Sequence, residues 1–176
     1  MEKKINRSQL LGIDQKTKHI WLQSESSILY ASADQILETR IIQSLGGGFN
    51  IYAKINLIYR FEDYLLDIKK TLAAAKKFVE EFMKELRKEE FIKNLKGTTF
   101  IKKNFVMGFS VVNSDLVALI TNSPIPVVLA SYATENDALE ALEYYISNGT
   151  YKSEKIKLDE SSLTALNSLV EEIKHL

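Results

Sequence analysis

The sequence predicts an α/β fold, a mixed and mostly parallel sheet with an N-terminal hairpin, covered by helices. Three observations predict it. "HIWLQ" and "SILYAS" are apolar runs separated by the polar "SESS", the pattern of a two-stranded hairpin. Beyond them, strand-like and helix-like stretches alternate, which favours parallel neighbours joined by right-handed crossovers. The chain of 176 residues is 45% hydrophobic, enough to bury a sizeable core.

The elements follow in order. "EKKINRSQLLGI" is a short, weak helix candidate, and the hairpin comes next. "ADQILETRIIQSL" places Ile36, Leu37, Arg40, Ile41 and Leu45 at helical spacing, with Ser32 or Asp34 as cap and Gly46–Gly48 as terminator. "NIYAKINLIYRF" alternates and is rich in isoleucine and tyrosine, so it reads as a strand. A long helix is expected between Glu62 and Glu90, where Leu65, Ile68, Leu72, Ala75, Val79, Phe82, Met83 and Leu86 form one stripe. "TTFIKKNFVMGFSVV" supplies a strand or strand pair, and "NSDLVALIT" a short helix capped by Asn113. "PIPVVLASY" is a strand. A helix then opens at Thr134 with Asp137 at its third position, and buries Ala138, Leu139, Leu142, Tyr145 and Ile146. Residues 55–59, 105–109 and 127–129 are expected as central, mutually adjacent strands, because their apolar runs suit burial on both faces. No internal repeat is visible. The module is complete at residue 146, and 147–176 reads as a polar link and a final helix. That helix has a stripe of Leu163, Leu166, Leu169, Val170, Ile173 and Leu176, which packs on its own chain or makes a homodimer.

Composition narrows the chemistry. Cysteine is absent, which removes thiolate catalysis and cysteine-bound clusters. His19 and His175 are the only histidines and lie far apart, so no metal site and no cofactor are expected. Lysine plus arginine equals aspartate plus glutamate, 23 each, so no global field draws nucleic acid or anionic lipid. No apolar run is long enough for a membrane span or signal peptide, and a reducing cytoplasm is the expected location. "NRS" at Asn6 and "NGT" at Asn148 fit the glycosylation pattern by chance.

Individual motifs favour packing over reaction. "GGGFNIYAK" lacks the lysine and hydroxyl of a phosphate loop and lies in the wrong order between elements. "GFS" at Gly108–Ser110 lacks the second glycine of a nucleophile elbow, since position 112 is Val112. Glu62, Asp63 and Asp67 suit the start of the long helix better than an ion or acid/base pair. Lys69, Lys70, Lys76, Lys77, Lys84, Arg87 and Lys88 lie opposite the apolar stripe, with Glu80 and Glu81 among them, and read as a solvated, mutually neutralising face. Tyr30, Tyr52, Tyr59 and many phenylalanines invite a base-stacking platform, which zero net charge argues against. An apolar pocket between sheet and helices stays open.

From Ile101 to Tyr145 the sequence resembles the C-terminal half of STAS-like domains, the anti-sigma-factor-antagonist type of bacterial proteins. Val106, Gly108 and Ser110 match a strand-ending turn, and Glu135, Asp137, Ala138, Leu139 and Glu140 an acidic helix start. The region "YRFEDYLL" departs from that family, having no serine where its phosphorylated members carry one. The resemblance implies a non-catalytic regulatory module acting by protein–protein recognition, with Arg60, Asp63, Ser110 and Asn113 as its candidate interaction surface. The rival reading is an enzyme or carrier with a small or lipid-like ligand in the sheet–helix pocket.

Overall fold

The computed structural model describes residues 8–152 together with Ser168 and Glu171. The final helix and its stripe therefore lie outside the described residues. Residues 8–152 form eleven strands and two α-helices: β1 (Leu10–Asp14), β2 (His19–Gln23), β3 (Ile28–Ser32), β4 (Ile36–Gln43), β5 (Phe49–Asn56), β6 (Phe61–Lys69), α1 (Leu72–Glu85), β7 (Phe91–Lys93), β8 (Thr99–Lys102), β9 (Val106–Val112), β10 (Asp115–Ile120), β11 (Val127–Ser131) and α2 (Glu135–Asn148). They form three sheets, ordered β1-β2-β3, β6-β5-β4-β8-β7 and β11-β10-β9, and every pairing is antiparallel.

The mostly parallel sheet is thus corrected, and with it the STAS-like assignment. The reason lies in connection length. A parallel neighbour needs a crossover of a dozen residues or more, and the segments expected to serve as crossovers are themselves strands. "ILETRIIQ" is β4. Its neighbours Ile36 and Leu37 are both apolar because they enter two different cores, not because they follow a helical stripe. "DLVALI" is β10, closed at both ends by asparagines in the left-handed conformation, Asn113 (φ 56°) and Asn122 (φ 59°). The region 62–90 divides into β6 and α1, so Glu62, Asp63 and Asp67 lie on a strand. The N-terminal helix candidate contributes β1. The triple glycine turns β4 into β5: Gly47 (φ 88°) and Gly48 (φ 86°) are left-handed, and a Cβ on Gly48 would lie 2.9 Å from the Lys69 carbonyl oxygen.

The five-stranded sheet is the middle layer. On one side Ile36, Ile51, Ile55, Leu66 and Phe100 meet Ile20, Leu22 and Ala31 of the first sheet and Val79, Phe82 and Met83 of α1. On the other, Leu37 and Ile101 meet Leu116, Ala118, Ile120 and Leu129 of the third sheet, against which Leu142 and Tyr145 of α2 also pack. Leu139 and Ile146, expected on the buried face of α2, are exposed. The hairpin β2–β3 and the start of α2 match their expectations: Thr134 Oγ1 accepts from the Asp137 N–H at 3.1 Å. The three strands expected at the centre are dispersed. Of 55–59 only Ile55 and Asn56 belong to the internal strand β5 and the rest form the β5–β6 turn, whereas β9 and β11 are the two edges of the third sheet.

The element order repeats. A hairpin (β2–β3), a 3₁₀ turn (Ala33–Gln35), a three-stranded meander (β4–β6) and a 14-residue helix capped by Thr71 make one unit. A hairpin (β7–β8), a 3₁₀ turn (Lys103–Phe105), a meander (β9–β11) and a 14-residue helix capped by Thr134 make the second. The repetition is carried by element order and caps, not by matching residues.

Candidate functional site

Charge is unevenly placed along this fold. Residues 69–103, which form the end of β6, α1, β7 and β8, carry eleven lysines and arginines against five aspartates and glutamates. Residues 104–151, which form the third sheet and α2, carry five carboxylates and no lysine or arginine. Zero net charge is therefore a sum over a basic part and an acidic part. A locally basic surface attracts polyanions whatever the total is.

Local structure presents the basic groups. α1 turns Ala75, Val79, Phe82 and Met83 into the first core, which leaves Lys77 and Lys84 outward, two turns apart or about 10 Å along the axis. Beside the helix, the β7–β8 turn is fixed by Asn94. Its Oδ1 accepts from the N–H groups of Thr98 (2.8 Å) and Thr99 (3.1 Å), and its Nδ2 donates to Thr98 Oγ1 (3.0 Å). Gly97 takes φ 69°, and a Cβ built there would lie 3.9 Å from both Lys76 Nζ and Lys93 Cδ. Lys76, Lys93 and Lys96 thus surround one tight turn, with Glu80 paired to Lys93 at 3.3 Å. Lys70, Lys77, Lys84, Arg87, Lys93 and Lys96 are all exposed. β7–β8 thus adds its own lysines beside the helix, a contribution that the i, i+4 spacing within α1 does not show.

One lysine of this segment is used differently. Lys102 is 1% exposed, and its three ammonium hydrogens have three acceptors: the Ala33 carbonyl (3.2 Å), Asp34 Oδ1 (2.7 Å) and Glu90 Oε2 (3.1 Å). The hydrogen bond from Lys102 is the main cause holding the Asp34 carboxyl below its ordinary value. This lysine is structural, since no donor is left for a ligand.

A second surface lies on the outer face of β1–β3. Tyr30 stacks on His19 (ring centroids 4.4 Å apart) and leans on Trp21 (4.2 Å). The Tyr30 hydroxyl donates to Asp14 Oδ2 at 3.0 Å, and Asp14 Oδ1 accepts from the N–H groups of Lys16 and Thr17. Lys18 Nζ donates to the Glu85 carbonyl at the end of α1 (2.7 Å), so this aromatic ladder adjoins the basic helix.

The expected interaction residues fall on two different sheets. Asp63 on β6 accepts from Arg40 at 2.7 Å, and Arg60 in the β5–β6 turn pairs with Glu62 at 3.2 Å. Ser110 on β9 lies opposite Val117, and Asn113 makes the β9–β10 turn. The β5–β6 turn carries a feature the sequence did not signal. Ile58 holds φ 68°, a costly conformation for a β-branched residue, and stands almost fully exposed beside Tyr59. A shallow open depression lies along α2, lined by Glu140, Glu143, Tyr144, Ser147, Asn148 and Lys152, and not between sheet and helix. Among the described residues no three histidine, aspartate or glutamate side chains come together as metal ligands, and no helix is long and apolar enough to cross a membrane.

No family profile and no curated protein matches the chain. Among solved structures, a "LytTr DNA-binding domain" of a response regulator from Bacillus cereus is similar at 12% identity with a TM-score of 0.45, covering 69% of this chain and 96% of that one. A likeness so distant carries no argument about this protein. The expectation of no nucleic-acid partner rests on zero net charge. The separation of charge within the chain, described above, is the physical ground on which that expectation is withdrawn.

Proposed function

We propose that this protein is a non-catalytic recognition module that binds nucleic acid through the phosphate backbone. One observation carries the reading: exposed Lys77 and Lys84 on a helix and exposed Lys93 and Lys96 at a pinned turn, while the third sheet and α2 carry only negative charges. A phosphate chain gains from releasing its counterions to exposed lysines and needs no deep cavity. The acidic part of the molecule orients the encounter by repelling the same polyanion. Fluorescence anisotropy with labelled duplex and single-stranded oligonucleotides at low salt tests it. The doubly reversed variant Lys77→Glu/Lys84→Glu should lose about tenfold or more in affinity, while Glu140→Lys on α2 should lose none. Absence of binding to any oligonucleotide by the unaltered protein contradicts the reading.

Protein–protein recognition is a second reading, favoured by the exposed Ile58–Tyr59 tip and the Trp21–Tyr30 pair. Large apolar groups held in solvent by a rigid sheet are common at protein contacts.

A further inference from the structure

The two repeated units meet at one strand pair. β4, the first meander strand of the first unit, pairs antiparallel with β8, the second hairpin strand of the second unit. The strands that occupy the same two places with the units exchanged are β9 and β3. Both are sheet edges: β9 ends the order β11-β10-β9, and β3 ends the order β1-β2-β3. Among the described residues neither has a backbone partner on its outer side.

Neither edge carries the usual protection. Edge strands are normally guarded by lysine, proline or inward charge, because their free N–H and carbonyl groups recruit other strands. "VMGFSVV" and "ILYAS" contain no charge and no proline. They also hold Met107 (73% exposed), Val112, Ile28 (58%) and Tyr30 in solvent. Among the described residues there is therefore one finished join of the β4–β8 kind, and the two halves of another without a partner strand.

We infer that a second copy of this chain closes that join, its β3 pairing antiparallel with β9 as β8 pairs with β4. The register follows from the repeat. The 3₁₀ turns Ala33–Gln35 and Lys103–Phe105 are 70 positions apart, so Glu38↔Ile101, Thr39↔Phe100 and Arg40↔Thr99 transpose to Gly108↔Ala31, Phe109↔Tyr30 and Ser110↔Leu29. Because β9 and β3 are different surfaces, the contact is heterologous. It closes as a two-chain ring if two joins form at once and otherwise extends as a chain of copies. The paired strands contribute no lysine or arginine of the basic face, so this interface stands or falls independently of nucleic-acid binding.

The absence of cysteine makes the test direct. A Ser110→Cys chain is mixed with a Leu29→Cys chain under mild oxidation, and sedimentation of the unaltered protein is followed through a dilution series. The expected results are a covalent heterodimer in the mixture, and a sedimentation mass at least twice the 20.0 kDa of one chain that falls to the single mass on dilution. Met107→Lys and, separately, Ile28→Lys alter exposed side chains that no core packing needs, and each should give the single mass with an unchanged melting temperature at high dilution. A single mass for the unaltered protein at every concentration overturns the inference, as it would if the chain's own C-terminal segment covered these edges. So does a dimer that survives both lysine variants and yields no heterodimer on oxidation.

Discussion

The Lys102 ammonium lies 2.7 Å from Asp34 Oδ1 and so ties the second repeated unit to the 3₁₀ turn of the first. Ser32 and Lys102 occupy the same position of the repeat, just ahead of their 3₁₀ turns. Ser32 caps its own turn, whereas Lys102 makes no such cap and reaches instead to the other one. Replacing Lys102 with methionine keeps a side chain of similar length opposite Phe91 on the paired strand and removes the charge. The expected loss is about 1–3 kcal/mol by chemical denaturation, the range for hydrogen bonds to charged groups. It stays below the cost of breaking a pair buried on both sides, because the Asp34 side chain is 70% exposed and can rehydrate.

The same contact predicts a pH dependence. The folded state holds Asp34 below its ordinary value of 3.8, chiefly through Lys102. A depressed carboxyl stabilises the fold above the unfolded value, and that contribution is lost as pH falls through the folded one. The stability gap between the unaltered protein and Lys102→Met should therefore be full at neutral pH and shrink below pH 3.8. Urea denaturation at a series of pH values checks it, and a gap that is constant through the acid range would refute the assignment.

Thr39 on β4 has a buried Oγ1 that finds no hydrogen-bond partner among the described residues. Thr39→Val removes an unpaired buried hydroxyl at nearly constant shape. Stability should rise by about 1 kcal/mol, read as a higher melting temperature.

Asn94 links turn geometry to the proposed function. Asn94→Ala frees the N–H groups of Thr98 and Thr99 and loosens the turn that sets Lys93 and Lys96, without altering any charge. It should cost about 1–3 kcal/mol of stability. Oligonucleotide affinity should also fall while the number of basic groups is unchanged. A variant that folds less stably yet binds equally well would show that the turn does not position the lysines.

Part of this fold was legible in the residues. The β2–β3 hairpin showed in its two apolar runs, and α2 showed in the Thr134–Asp137 start. β4 and β10 misled because a strand buried on both faces, or one of six residues between turns, has no period-2 signal to separate it from a helix turn. The topology turned on connection length: Asn113–Ser114, Leu57–Arg60 and Ser44–Gly48 are hairpin-length links, which exclude parallel crossovers at those places. The basic face does not show in the net charge of the whole chain, and the dozen or so residues after α1 bring Lys93 and Lys96 beside Lys76 of the helix. The aromatic ladder depended on register, since only the pairing of Trp21 with Tyr30 brings the rings together.

The salt dependence of nucleic-acid binding tests the proposal most directly. For the unaltered protein, the logarithm of affinity for a short duplex should fall linearly and steeply with the logarithm of salt concentration. In a variant with Lys77, Lys84, Lys93 and Lys96 changed to glutamine, the slope should flatten by about one for each phosphate contact removed. A slope that is the same in both proteins, or no measurable binding at low salt, would contradict a phosphate-binding role for this face.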